Sequence, residues 1–372
     1  MNILNNIKPR KILDKIKPYS PGKPIWEVQK EFNLDNVVKL ASNENPLGPS
    51  PKALDAISNF LTELNRYPDA NATLLKGAIA SYYSLKEQQL IIGNGADELI
   101  TLLSETFLEP EDEIIVPSPS FSEYDFGANL MGAKVIPVPL GEGYQFNVEA
   151  ILAHVTEQTK LVYICSPNNP TGTYLSKRQL EQLLNYLPKK VLTVFDGAYS
   201  HFATEFDYTN GLEYVDSGYP IIVLQTFSKI YGLAGVRVGF AVATEDIIQS
   251  ILKVKEPFNV NTLAQVAATA AIADEKHVQA SHEANKSGRE QLYKAFSELG
   301  LQYTESMSNF VLVKVGAEAK YVYEQLLQKG IIVRFGGVWG LTEHVRISVG
   351  TFEENTALIN ALMSILQEKD LL

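Results

Sequence analysis

Cysteine is almost absent from this chain, and long apolar runs are missing altogether. Cys165 is the only cysteine among 372 residues, so no disulfide can form within the chain, which favours a reducing compartment. The first 20 residues include several lysines but no continuous apolar core, so they do not resemble a signal peptide. No apolar run is long enough to cross a bilayer. We therefore expect a cytoplasmic protein.

The chain also lacks a surplus of positive charge. Its formal net charge is −11, and its lysines and arginines form no local cluster. Because nucleic-acid binding depends on clustered Lys and Arg, we expect no nucleic-acid partner. The five histidines have no metal-ligand spacing, so no metal site is predicted. The hydrophobic fraction of 45% is that of a globular protein.

Short apolar, β-branched runs alternate with longer amphipathic stretches, which is typical of an α/β fold. The pattern predicts a seven-stranded, mostly parallel sheet flanked by helices. The predicted strands are residues 90–92, 113–116, 135–138, 161–165, 191–195, 221–225 and 238–242. Helical patterns between or after them cover residues 96–108, 176–187 and 244–254.

The rhythm changes near Pro257, which predicts a second, smaller α/β unit. Residues 262–273 and 277–299 have helical patterns, and a strand–helix–strand–strand–helix pattern follows from Asn309. The proline-rich opening is interpreted as extended chain and turns. We predict a large domain over residues 49–256 and a small domain over residues 257–372. Residues 1–48 are predicted to form an N-terminal arm that packs with the small domain.

In doubly wound sheets, ligands bind beyond the carboxyl ends of the strands, so the residues that follow each strand are the candidates. The first strand is followed by Gly93-Asn94-Gly95-Ala96-Asp97-Glu98 at the start of a helix. Backbone N–H groups there can bind an anion, although a glycine turn with Asp97 as a helix cap is the alternative. A dinucleotide fingerprint is rejected because Glu98 stands at its third glycine position.

Polar residues follow three further predicted strands. They are Ser166-Pro167-Asn168-Asn169-Pro170-Thr171-Gly172, then Asp196 with Tyr199, then Thr226-Phe227-Ser228-Lys229 with Arg237 eight residues beyond. Each has an ordinary explanation as a turn, a capped acid or a solvated lysine. Together, however, they supply what pyridoxal 5′-phosphate (PLP) requires: phosphate donors, a carboxylate for the pyridine nitrogen, donors for the ring oxygen and a lysine for the aldehyde.

These motifs resemble those of the fold-type I, class I/II PLP-dependent aminotransferases. Over nearly the whole chain, the sequence is similar to the histidinol-phosphate aminotransferase family. The segments that carry this resemblance are residues 19–24, 39–46, 66–69, 93–98, 166–172, 196–199, 228–237, 256–261 and 346–351.

The resemblance implies a role for each matched residue. The catalytic residues would be Lys229, which binds the cofactor aldehyde covalently, Asp196, which pairs with the pyridine nitrogen, and Tyr199. Asn169 would join Tyr199 at the ring oxygen, and Phe121 would stack on the pyridine face. The cofactor phosphate would be bound by Ala96, Asp97, Thr226, Ser228 and Arg237, together with Tyr67 from the other subunit of a homodimer.

The resemblance also implies the substrates, L-histidinol phosphate and 2-oxoglutarate, in histidine biosynthesis. The anionic end of the substrate would be received by Arg346, with Arg334 and Tyr19 nearby.

An aromatic amino-acid aminotransferase, with Trp339 and Tyr19 as ring contacts, is the first alternative. A PLP-dependent decarboxylase of a phosphorylated amino acid and a PLP-sensing regulator domain follow. The sequence departs from its relatives at Gly197, where they commonly have glutamate, and we expect little functional consequence.

Overall fold

A computed structural model describes residues 7–16 and 22–369 of the chain. Its strands are β1 (Val38–Lys39), β2 (Leu90–Gly93), β3 (Glu113–Ser118), β4 (Lys134–Pro139), β5 (Thr159–Cys165), β6 (Leu192–Asp196), β7 (Ile221–Thr226), β8 (Gly239–Val242), β9 (Gln302–Tyr303), β10 (Phe310–Lys314), β11 (Ile331–Ile332), β12 (Arg334–Phe335) and β13 (His344–Ser348). Its α-helices are α1 (Ile25–Phe32), α2 (Pro51–Phe60), α3 (Thr73–Tyr83), α4 (Ala96–Phe107), α5 (Glu123–Met131), α6 (Val148–Ala153), α7 (Lys177–Tyr186), α8 (Glu245–Ile251), α9 (Thr262–Ile272), α10 (Glu275–Glu298), α11 (Ala319–Gln328) and α12 (Phe352–Glu368). In this part of the chain, none of the helices combines the length and the apolar character that a membrane span needs.

The predicted strands form a seven-stranded sheet in the order β2-β8-β7-β6-β5-β3-β4. Strands β3 to β7 pair in parallel, whereas β8 runs antiparallel to both of its neighbours. Strand β5 is almost continuously apolar and buried, as expected for a strand with helices on both faces. The carboxyl ends of β2, β5, β6 and β7 therefore lie at one edge. The prediction of a mostly parallel α/β sheet is confirmed.

Two apolar layers cover this sheet. One contains buried residues of α4, α5 and α8, and the other contains buried residues of α2, α3, α6, α7 and α9. Four alanines of α9 are fully buried in the second layer, where they allow close approach to α2. The domain boundary after residue 256 stays a prediction, and α9 lies beyond it although it packs with the large sheet.

The smaller unit is a four-stranded sheet in the order β12-β13-β10-β9, covered by α10, α11 and α12. The arm joins this unit because β1 pairs in parallel with β11. The interpretation of the opening as extended chain and turns is wrong for α1. Pro24 precedes the helix, where its missing N–H costs nothing, and Val28 is buried against Leu327 and Ile332. Asn33, with φ +53°, closes the helix.

Candidate active site

A cavity of about 510 Å³ opens at the carboxyl edge of the large sheet and is bounded by the arm and the smaller unit. The predicted residues that line it are Ala96, Asp97, Phe121, Asn169, Asp196, Tyr199, Thr226, Ser228, Lys229, Arg237, Arg334 and Arg346. Tyr67 does not line the cavity of its own chain within the described residues, and Tyr19 lies outside them. One cavity thus brings together side chains from loops that are far apart in sequence.

Lys229 lies just beyond β7, and its amine points into this cavity. The Nζ atom donates a hydrogen bond to the Ser42 carbonyl at 3.0 Å and lies 5.7 Å above the Tyr199 ring. Burial, helped by the nearby charge of Arg346, lowers the pKa of Lys229 to about 8. A fraction of the amine is therefore neutral near pH 7, as a nucleophile or a general base must be.

Asp196 ends β6 with its carboxylate almost completely buried. The Tyr124 hydroxyl donates to its Oδ2 at 2.6 Å, and the Ala198 N–H donates to its Oδ1 at 3.0 Å. Burial raises the pKa of Asp196, and these two donors act against that rise. A buried carboxylate at the cavity wall is suited to a cationic ring nitrogen, since an unpaired buried charge is costly. Tyr124 was not predicted from the sequence.

The phenol of Tyr199 is bound by the arm. Its oxygen accepts a hydrogen bond from Asn43 Nδ2 at 3.0 Å, and Asn43 is fixed in turn by Ser348 of the smaller unit. Asn43 has φ +55°, a left-handed conformation that asparagine tolerates better than most residues. The arm and the smaller unit therefore position a residue of the large sheet. Sequence reasoning matched the segment around Asn43 but did not assign that residue a role.

The junction between β2 and α4 forms a cationic cradle. Arg237 Nη2 lies 3.0 Å from Asp97 Oδ2, and Arg237 Nη1 donates to Ser228 Oγ at 3.3 Å. Gly95 has φ +84°, and a Cβ there would lie 2.4 Å from Arg237 Nη2. The backbone N–H groups in the first turn of Ala96–Phe107 have no partners within the helix, so the cradle suits an anion. Asp97 forms an ion pair and does not cap the helix.

A second cationic site lies on adjacent strands of the smaller unit. Arg334 and Arg346 are direct partners in the β12–β13 register, and both line the cavity. Arg346 is buried, donates to Asn169 Oδ1 at 2.5 Å, and lies 5.2 Å from the Phe310 ring and 5.1 Å from the Trp339 ring. These contacts hold the guanidinium in one orientation, which suits it to a phosphate or a carboxylate.

Gly197 and Tyr67, which the sequence analysis singled out, are not among the residues that line the cavity. A Cβ at Gly197 would lie 2.6 Å from Gln225 Nε2, so any larger residue there would displace the Gln225 amide, which hydrogen-bonds Ser200. The functional consequence of this glycine stays a prediction. Tyr67 is 84% exposed and stacks on Phe258 with ring centroids 4.9 Å apart.

Comparison with known proteins assigns the chain to a family. Residues 35–362 match the family model described as aminotransferase class I and II. The chain belongs to this family. It is 48% identical to the histidinol-phosphate aminotransferase of Moorella thermoacetica, over 96% of this chain and 93% of the relative. It is 42% identical to that of Caldicellulosiruptor saccharolyticus, over 96% and 99% of the two chains.

A solved structure extends the comparison to the fold. The crystal structure of histidinol-phosphate aminotransferase from Sinorhizobium meliloti, in complex with pyridoxal-5′-phosphate, superposes with a TM-score of 0.90 at 25% identity. The match covers 97% of this chain and 98% of that one. The predicted family, the fold-type I architecture and the class of enzyme, a PLP-dependent transaminase, are confirmed.

The residues around the cavity fit PLP. Gly95 leaves room for the Arg237 guanidinium beside the first turn of the helix, Asp196 offers a dry carboxylate, and Lys229 offers an amine of lowered pKa. These three features match the phosphate, the ring nitrogen and the aldehyde of the cofactor.

Proposed function

We propose that this chain is a histidinol-phosphate aminotransferase, which transfers the amino group of L-histidinol phosphate to 2-oxoglutarate in histidine biosynthesis. The products would be imidazole-acetol phosphate and L-glutamate. The observation that carries the proposal is a pair of neighbouring arginines, Arg334 and Arg346, that line the same cavity as Arg237. Arg237 would serve the cofactor phosphate, and the pair would bind an anionic group on the substrate.

The residues of the large sheet would act on the reacting carbon. PLP, when bound, supplies an electron sink for the pair of electrons released at the substrate Cα. Asp196 would hold the positive charge of the ring nitrogen, and Tyr199 and Asn169 would orient the ring through its oxygen. Lys229 would take the proton from the substrate Cα, because its neighbourhood keeps a fraction of the amine neutral.

The arginines explain how one site can accept two different substrates. A guanidinium offers two parallel N–H donors that fit a carboxylate as well as a phosphate. The phosphate of histidinol phosphate and the distal carboxylate of 2-oxoglutarate can therefore occupy the same place in successive half-reactions. Arg346 is already oriented by Asn169 and by two aromatic rings, so little ordering is needed when the anion arrives.

The experiment compares histidinol phosphate with histidinol in steady-state kinetics. We expect kcat/KM to fall by at least about 100-fold without the phosphate, because the charge-assisted hydrogen bonds between the phosphate and the two arginines are lost. Arg334→Gln and Arg346→Gln should lower kcat/KM for the phosphorylated substrate and change that for histidinol far less. Equal values for the two substrates would contradict the proposal.

An aromatic amino-acid aminotransferase is the second candidate, and the observation that favours it is the Trp339 ring in the cavity wall. Phe121 and Phe126 add further aromatic surface to this wall. The two candidates differ in their substrates. A kcat/KM for phenylalanine above that for histidinol phosphate would favour the aromatic enzyme.

The same proposal includes a homodimer in the cytoplasm, with active sites shared between subunits. Tyr67 supports this arrangement, because it is exposed and lies outside the cavity of its own chain in the described structure. Its ring is supported by Phe258, so it could extend toward the cofactor phosphate of a second subunit. The single cysteine is consistent with a reducing compartment.

A further inference from the structure

We propose that Tyr124 is a positioning residue that keeps the Asp196 carboxylate ionised and fixes the plane of that carboxylate at the cavity wall. This inference rests on the proposed role of Asp196 at the pyridine nitrogen. The proposed role of Tyr124 does not depend on the amino donor, so the inference applies to both candidate functions.

The geometry around Tyr124 leaves its hydroxyl little freedom. Tyr124 is fully buried in the first turn of α5, where its ring stacks on Tyr163 with centroids 4.4 Å apart and planes 19° apart. The edge of Phe121 contacts it at 5.7 Å, with the planes at 82°. Packing on these two rings sets the direction of the phenol oxygen, which lies 2.6 Å from Asp196 Oδ2. The contact joins residues 72 positions apart.

The hydroxyl can act only as a donor toward this carboxylate. Burial and the neighbouring charge of Asp196 raise the pKa of Tyr124 well above its usual value, so the phenol stays protonated at any working pH. Asp196 Oδ2 accepts from Tyr124 and Oδ1 accepts from the Ala198 N–H, which leaves further lone pairs on each oxygen for a ring N–H. The two donors therefore hold the plane of the carboxylate.

Removal of the hydroxyl would change the charge of Asp196. Burial favours the neutral acid, as does the nearby charge of Asp97, whereas the hydrogen bond from Tyr124 and the charge of Lys229 oppose this effect. Without this bond, Asp196 would take up a proton at higher pH. A neutral carboxyl group cannot balance a positive ring nitrogen, so the cofactor would bind more weakly, and more so as the pH falls.

The chain offers a matched control in Tyr163. This tyrosine is also fully buried and packs on the same ring, but its hydroxyl has no hydrogen-bond partner in the described part of the chain. Tyr163→Phe therefore removes an equivalent oxygen from the same aromatic stack without touching Asp196. Both substitutions retain the ring, and a thermal unfolding midpoint measures any effect on stability.

The test measures binding to the apoprotein by titration calorimetry at several pH values. The two ligands are pyridoxamine 5′-phosphate and its 1-deaza analogue, in which a C–H replaces the ring nitrogen. We expect Tyr124→Phe to weaken the first by about tenfold, increasingly as the pH falls, and to leave the second unchanged. Tyr163→Phe should change neither affinity. Equal losses for both ligands, or no loss at all, would overturn the inference.

Asp196→Asn separates this inference from the role of Asp196 itself. If Asp196→Asn weakens only the nitrogen-containing ligand and Tyr124→Phe does not, the assignment of Asp196 stands and that of Tyr124 is wrong. If Asp196→Asn shows no such selectivity, the role of Asp196 is wrong, and the inference about Tyr124 is overturned with it. Selective losses in both variants support both assignments.

Discussion

The amine of Lys229 has a lowered pKa, which bears directly on its proposed role at this site. Its pKa is lowered to about 8, so the neutral fraction grows as the pH rises through that value. Only the neutral amine attacks an aldehyde. We therefore expect the rate at which the apoprotein incorporates PLP, followed by absorbance after rapid mixing, to rise with pH and to level off above a midpoint near 8.

Arg346→Gln tests the cause of this lowered pKa. The positive charge of Arg346 is the second contribution after burial, and it disfavours the charged lysine. Its loss should move the midpoint of the incorporation rate to higher pH, while Lys229→Ala should prevent covalent incorporation altogether. A wild-type midpoint near 10.5, the ordinary value for lysine, would contradict the assignment.

Residues that line the cavity could be predicted from the sequence, whereas the residues that position them could not. Lys229 and Asp196 each follow an apolar strand, which is a local signal. Tyr124, Asn43 and Ser42 have no such signal, because their importance comes from contacts with residues 72, 156 and 187 positions away. Only the folded arrangement of the sheet and the arm reveals these contacts.

The geometry of the junction between β2 and α4 depends on the glycine at position 95. Gly95→Ala places a methyl group 2.4 Å from Arg237 Nη2, so the guanidinium and its ion pair with Asp97 must move. We expect the affinity of the apoprotein for pyridoxamine 5′-phosphate to fall by about tenfold or more, since charge-assisted hydrogen bonds to the phosphate are lost. Titration calorimetry measures the change.

Gly143→Ala is the matched control for the strained backbone. Gly143 has φ +62°, but a Cβ there meets nothing within 4 Å. Both substitutions place an alanine at a positive φ, but Gly95, with φ +84° and ψ 172°, lies in a region that almost only glycine occupies, whereas Gly143, with φ +62° and ψ 21°, is left-handed helical. We therefore expect Gly95→Ala to lower the thermal unfolding midpoint more than Gly143→Ala, and only Gly95→Ala to weaken cofactor binding. Equal affinities in the two variants would show that Gly95 has no part in binding the phosphate.

Most strands of the large sheet were predictable because they are buried on both faces and form apolar runs, whereas the edge strand β4 is only partly buried. The predicted segment 161–165 and the observed Thr159–Cys165 differ by two residues at one end. Helix α1 was missed because surrounding prolines suggested extended chain, although its apolar residues have helical spacing. The packing of α9 on the large sheet depends on the tertiary arrangement, since an alanine-rich helix can pack closely against any flat partner.

The whole molecule builds one cavity from three parts of the chain. The large sheet contributes Lys229 and Asp196, the smaller unit contributes Arg334 and Arg346, and the arm contributes Asn43. Strand β1 pairs with β11 of the smaller unit, so the arm and these two arginines belong to one packed body. A movement of this body relative to the large sheet would change the access to Lys229. The residues proposed to bind the cofactor phosphate within one chain, in contrast, all belong to the large sheet and its loops.

If the active sites are shared between the subunits of a homodimer, a mixture of two inactive variants should recover activity. Lys229→Ala removes the proposed base, and Tyr67→Ala removes a side chain that we assign to the partner's cofactor phosphate. In a two-fold dimer formed from one chain of each, one site collects both defects and the other has an intact lysine and an intact tyrosine. After subunit exchange, verified by mass spectrometry of the intact dimers, the activity of the mixture should exceed that of either variant alone. Verified mixed dimers without such recovery would place Tyr67 outside the active site.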